Sequence, residues 1–249
     1  MAIFEGICGG EQPFVFLIMQ KIKIHPDGPA LSRIVVGAWR WHAVSSQQIE
    51  TLIKTSLSAG ITSFDHADIY GDYSCEEVFG NVLRSNSALR NQMELVTKCG
   101  IKLLSDKRPD HWIKHYDTSK EHIIWSAENS LKMLATDRVD VLLLHRPDPL
   151  LNPTEVAEAF TILKKQGKVL HFGVSNFSTS QTEMLQSYLS FPLVTNQIEL
   201  SLFQHQDFFN GTVDSLLKHR ISPMAWSPLG GGKHFEDGQL KSQLENLSH

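Results

Sequence analysis

Asp65, Tyr70, Lys98 and His145 place a carboxylate, a phenol, an amine and an imidazole beside the ends of short apolar runs, 61–65, 93–98 and 139–145. All four are expected at strand ends. In a parallel β/α barrel, reactive groups converge from the C-terminal ends of different strands. Such a set could move a proton. Free tyrosine is a poor acid, with a pKa of about 10, and a neighbouring ammonium lowers that value. Lys98 would supply the positive charge and Asp65 its counterion, because an unpaired buried charge costs several kcal/mol. His145 could hydrogen-bond a substrate carbonyl or share the proton of Tyr70. Together they would protonate an oxygen as a hydride reaches the adjacent carbon, help worth roughly 10²–10⁴-fold in rate.

Positioning these groups requires alternating strands and helices, and the chain supplies them from Gln20 onward. Residues 21–24 and 32–34 flank the turn-rich stretch His25-Pro26-Asp27-Gly28-Pro29, which predicts an N-terminal β-hairpin. Seven barrel strands are expected to end near Trp39, Asp65, Lys98, His145, Val174, Gln197 and Ser227. Ser45 or Ser46 and Ser119 are placed to cap helices. The repeated strand–helix spacing implies right-handed crossovers and a parallel sheet. The expected fold is therefore a TIM (β/α)8-type α/β barrel over 20–249, preceded by an extension over 1–19 with Met19 as the natural start. Intact mass from the native host showing Met1 or Ala2 at the terminus would refute that start.

The barrel reads as incomplete. An eighth strand is not found after Ser227, where Gly230-Gly231-Gly232 and a Leu240/Leu244/Leu247 stripe follow. The open wall is expected to leave the isolated chain poorly folded, or held by an oligomer or partner covering the edge. A cooperative thermal transition of a monomer would contradict this.

Composition excludes several functions. The 249 residues are 41% hydrophobic and 20% charged, with net charge −4 and no basic stripe to meet a nucleic acid. The apolar run 14–19 is too short to span a membrane. Cys8, Cys75 and Cys99 lack a CxxC spacing and fit the reducing cytoplasm. His111 and His115 are four apart, but Trp112 stands where a zincin needs Glu. No metal site is expected. Gly230–Lys233 lacks P-loop spacing.

Longer motifs sharpen the reading. Phe64-Asp65-His66-Ala67-Asp68-Ile69-Tyr70-Gly71 resembles the aldo-keto reductase signature, with Asp five residues before Tyr. Leu144-His145-Arg146-Pro147-Asp148, Gly173-Val174-Ser175-Asn176-Phe177, Asn196-Gln197-Ile198-Glu199 and Ala225-Trp226-Ser227-Pro228-Leu229-Gly230 resemble the later motifs, in family order. Trp226 and His115-Tyr116-Asp117 are similar to the YdhF-like bacterial oxidoreductase branch. The resemblance implies NADP(H)-dependent reduction of a small-molecule carbonyl substrate, with Tyr70 as proton donor, tuned by Lys98 and Asp65, and His145 orienting the carbonyl. It implies that Ser175, Asn176 and Gln197 bind the nicotinamide carboxamide and that Trp226 stacks on its ring. It further implies Ser227, Leu229 and Gly230 at the pyrophosphate, with Gly37 and Ala38 lining the cofactor side of the first strand. The rival expectation is an inactive barrel serving as a cofactor-sensing or interaction subunit.

Overall fold

The computed structural model describes residues 19–232 together with 238, 242, 243 and 246. The extension before Met19 and the Leu240/Leu244/Leu247 stripe lie outside the described residues.

The chain opens with an antiparallel hairpin, β1 (Lys21–Lys23) and β2 (Ala30–Ser32). Then follow β3 (Val36–Gly37), α1 (Ser46–Ser58), β4 (Ser63–Asp65), the short turn α2 (Tyr70–Tyr73), α3 (Cys75–Ser85) and β5 (Glu94–Cys99). A small ribbon, β6 (Ile101–Lys102) and β7 (His115–Tyr116), precedes α4 (Lys120–Met133) and β8 (Val139–Leu144). The series ends with α5 (Pro153–Lys165), β9 (Val169–Ser175), α6 (Thr179–Gln186), β10 (Leu193–Glu199), α7 (Thr212–Lys218) and β11 (Met224–Trp226).

Seven strands form one parallel sheet in the order β11-β10-β9-β8-β5-β4-β3. Among the described residues β3 and β11 are its edges. The hairpin and the seven strands match the expectation, and the local reasons are legible. Ser45 and Ser178 each make a reciprocal capping box with a glutamine at the third helical position. Ser119 caps α4, and Asn152 followed by Pro153 starts α5. Residues 101–118 contain the β6/β7 ribbon, which has no sequence signal. Two residues per strand are too few to show a period.

β8, Val-Asp-Val-Leu-Leu-Leu, illustrates why the sheet is parallel and covered on both sides. Leu142 and Leu144 point into the cluster shared with the helices, while Val141 and Leu143 point into a second, inner cluster with Val96, Val194 and Met224. Ile24 and Leu31, at the hairpin, close that inner cluster. The sheet must therefore curl. Strands β10 and β4 lie four positions apart, about 19 Å across a flat sheet at 4.8 Å per strand. Yet Gln197 Nε2 donates to Asp65 Oδ1 at 3.0 Å.

Candidate active site

Asp65 ends β4 and Lys98 is the penultimate residue of β5. The Lys98 side chain is 1% exposed. An ammonium has three donors, and all are used: Asp65 Oδ2 at 2.7 Å, the His66 carbonyl at 2.8 Å and the Tyr70 hydroxyl at 2.9 Å.

Tyr70 is not at a strand end, contrary to expectation; it opens α2. The loop after β4 runs along β5, with the His66 N–H donating to the Val96 carbonyl and the Asp68 N–H to the Lys98 carbonyl. That extension of the ladder delivers the phenol to the lysine. Immediately after β8, the His145 N–H donates to the Cys99 carbonyl at 2.9 Å. The His145 ring meets the Tyr70 ring edge-on, 5.8 Å between centroids.

The electrostatics correct one expectation. Burial pushes the Tyr70 phenol above its ordinary value; Lys98 opposes the shift without reversing it, and Asp65 adds to it. The phenol at rest is thus less acidic than free tyrosine, because desolvation penalises the phenolate more than the shared ammonium favours it. For Lys98, burial favours the neutral amine, but Asp65 and Tyr70 outweigh it and raise the pKa. Burial first, then Lys98 and Arg146, holds His145 well below the usual imidazole range, so its ring is neutral. Its Nδ1 is buried without a hydrogen-bond partner. The resting site pairs one ammonium with one carboxylate, beside a neutral phenol and a neutral imidazole.

Residues 33–249 match the aldo/keto reductase family. The chain belongs to that family. It is 50% identical over 237 residues to the uncharacterized oxidoreductase YcsN of Bacillus subtilis, covering 92% of this chain and 78% of that protein. It is 48% identical to oxidoreductase YdhF of Escherichia coli, covering 93% and 78%. The 6-dehydroglucose reductase of Agrobacterium fabrum shares 46% identity over 87% of this chain and 74% of its own length. The thermostable aldo-keto reductase Tm1743, solved with the inhibitor epalrestat, has the same fold. Its TM-score is 0.77 at 24% identity, over 92% of this chain and 80% of that one.

On the aldo/keto reductase barrel, a second group of predicted residues surrounds β9–β11. Ser175 Oγ donates to the Gln197 carbonyl at 2.9 Å, Asn176 Nδ2 donates to Ser175 Oγ at 2.7 Å, and Trp226 Nε1 donates to Asn176 Oδ1 at 3.0 Å. An indole N–H can only donate, so the Asn176 amide is oriented with its oxygen toward Trp226. Asn176 sits at φ 60° in the left-handed region. Its own N–H donates to the Gln197 carbonyl at 2.9 Å, which ties that conformation to β10. Beside Asn176 and Trp226 opens a pocket of about 390 Å³, lined also by Arg146, Glu199, Gln204 and Asp207. None of the tetrad's side chains lines it.

Gly37 lies at the end of β3 with open space around its α-carbon. Ala38 is fully buried in the helix-side core, and its N–H donates to the Asp65 carbonyl at 2.9 Å. Ser227, at φ 48°, accepts the N–H of Gly230 within the turn after β11, and Leu229 is exposed there. Sequence reasoning assigned no role to Arg146. Its guanidinium lies 5.6 Å from the Trp226 ring centroid, a cation–π contact, at the pocket rim. Its position directly after His145 was the available signal. Among the described residues no cluster of three or more metal-binding side chains occurs. No described helix is long and apolar enough to cross a membrane.

Proposed function

We propose that this protein reduces an aldehyde or ketone with NADPH, using Tyr70 as the general acid. The carrying observation is the Lys98 ammonium, 2.9 Å from the Tyr70 hydroxyl and 2.7 Å from Asp65, with the His145 ring against the phenol.

The residues present fit a nicotinamide cofactor. Ser175, Asn176 and Gln197 offer hydroxyl and amide groups matched to a carboxamide, and the Trp226 indole offers a flat face. When bound, the reduced nicotinamide supplies a hydride. Asn176 and Gln197 are prepositioned by their bonds to Trp226 and Asp65. Neutral His145 donates a hydrogen bond to the substrate oxygen. Tyr70, held neutral by burial, gives its proton to that oxygen. Lys98 then faces the resulting phenolate, and Asp65 keeps the ammonium charged and in place. The buried free thiols of Cys75 and Cys99 support work in the cytoplasm.

The similarity to a 6-dehydroglucose reductase supports including a keto-sugar among the substrates tested. The test is oxidation of NADPH, with NADH in parallel, against 4-nitrobenzaldehyde and a keto-sugar. Tyr70→Phe is expected to reduce kcat at least 10²-fold. Equal turnover by the variant would end the Tyr70 assignment. Cofactor-induced quenching of tryptophan fluorescence without turnover would favour the sensing subunit.

A further inference from the structure

Directly after Tyr70 the backbone does something L-residues rarely do. Gly71, Asp72 and Tyr73 take φ values of 57°, 52° and 60°, three successive residues in the left-handed region. Glycine accommodates this; aspartate is tolerated, and a bulky tyrosine is an outlier that the surroundings must hold in place. Gly71 is confined as well, since a Cβ there would lie 2.6 Å from Cys75 Sγ and 2.7 Å from His42 Cβ.

What holds the turn comes largely from 101–118. The Leu103 N–H donates to the Tyr73 hydroxyl at 2.8 Å. His111 Nδ1 lies 3.5 Å from the same hydroxyl and 3.1 Å from the Leu103 carbonyl. The Arg108 guanidinium stacks 4.8 Å from the Tyr73 ring centroid and 5.3 Å from that of Trp125, which anchors it to α4. Lys107 Nζ donates to the Asp72 carbonyl at 2.9 Å. The base of the segment is pinned by the Lys102–Asp117 ion pair.

We infer that Tyr73 is a positioning residue, latching the 101–118 segment onto the left-handed turn and so holding the Tyr70 hydroxyl against Lys98. This rests on the reading of Tyr70 as the acid. Tyr70 is fixed on one side by the ladder of His66 and Asp68 to β5 and on the other by this latch. Without it, the turn can relax to ordinary backbone angles and carry Tyr70 with it. The segment that bears the exposed Trp112 thereby shares a joint with the acid.

Tyr73→Phe keeps the ring under Arg108 and removes the hydroxyl that accepts the Leu103 N–H and lies 3.5 Å from His111 Nδ1. Exchange of the Leu103 amide should accelerate at least about tenfold, with the global thermal transition little changed. The kcat should fall about five- to tenfold, the scale of one lost hydrogen bond, with the cofactor Kd unchanged. The Tyr70 titration should also shift, read by ultraviolet difference against Tyr70→Phe, because the phenol moves relative to Lys98, Asp65, His145 and Cys75 and to the burial that sets its resting value. An unaltered Leu103 exchange rate, or faster exchange with kcat and the Tyr70 titration both unchanged, overturns the inference. The exchange and titration need no substrate. If the unmodified protein lacks turnover, the functional reading fails, while a shifted Tyr70 titration still supports the latch and an unshifted one refutes it.

Discussion

Replacing Lys98 by methionine separates the two jobs of this side chain. Lys98 is fully buried and satisfies three acceptors, one of them charged. Methionine fills similar volume but leaves the Asp65 carboxylate with Gln197 Nε2 as its remaining side-chain donor. Breaking a buried pair by removing one partner costs about 3–5 kcal/mol. Asp65 is 13% exposed, which favours the lower end of that range. In a chain this long, about 3 kcal/mol corresponds to a fall of roughly 6–12 °C in melting temperature. The double variant Asp65→Asn/Lys98→Met removes both charges, and Asn can still accept from Gln197. It should recover about half or more of the lost stability and none of the turnover, which should stay roughly 10²–10⁴-fold below normal in both proteins. Urea midpoints and NADPH oxidation with an aldehyde measure the two effects separately. A double variant as unstable as the single would show that the orphaned carboxylate is not the cause. Normal turnover in the single variant would show that the ammonium does not support the acid.

Two further outcomes concern the scaffold. Asp68 and Glu76 are buried, and burial raises their pKa values to about 7 and about 8, whereas burial lowers His66 to about 3 and His122 to about 4. The histidines favour folding as pH rises, but that gain is complete near 6.5. The carboxyls bind more protons folded than unfolded, so stability falls as pH rises towards 8. The net expectation is a loss of about 2–3 kcal/mol between pH 6.5 and 8.5, seen in denaturant midpoints and mostly removed by Glu76→Gln; a flat profile would refute it. Gly80 faces α4 so closely that a Cβ would lie 1.9 Å from the Met133 carbonyl oxygen. Gly80→Ala should therefore cost about 1–3 kcal/mol or more by forcing the helices apart, and an unchanged melting temperature would contradict that packing.

The chain disclosed what repeats and what is local. The Ser119 cap read directly, and the Ser45 cap to within one residue, as did apolar runs such as Val139–Leu144. Asp65 and Lys98 were legible because each interrupts such a run at its end. Three things were hidden for physical reasons. Proximity of Lys98 to Tyr70 could be anticipated, but not the depth of burial, and burial decides the sign of the phenol's shift. The left-handed turn at 71–73 ends on a tyrosine, which ordinarily avoids positive φ, so no turn signature marks its full length. Asp68 and Glu76 resemble surface charges in sequence. Only the fold shows them accepting from Ser126 and Thr97 inside the protein.

Charge accounting links the curvature of the sheet to the proposed chemistry. At rest, Lys98 balances Asp65, and the phenol and imidazole add no charge. Proton donation moves negative charge from the substrate oxygen to the phenolate, leaving Lys98 between two anions. A mobile Asp65 could then swing away and expose the ammonium to a different balance. Gln197 prevents this by holding the second carboxylate oxygen at 3.0 Å from across the barrel. The ammonium is equally constrained, because its third donor is bound to the His66 carbonyl. Stabilisation of this kind works when dipoles and charges are fixed before the charge moves. Fixing Asp65 requires β10 to face β4, which a flat sheet would place far beyond hydrogen-bond reach. The curl of the seven strands is therefore part of what sets the acid's electrostatics.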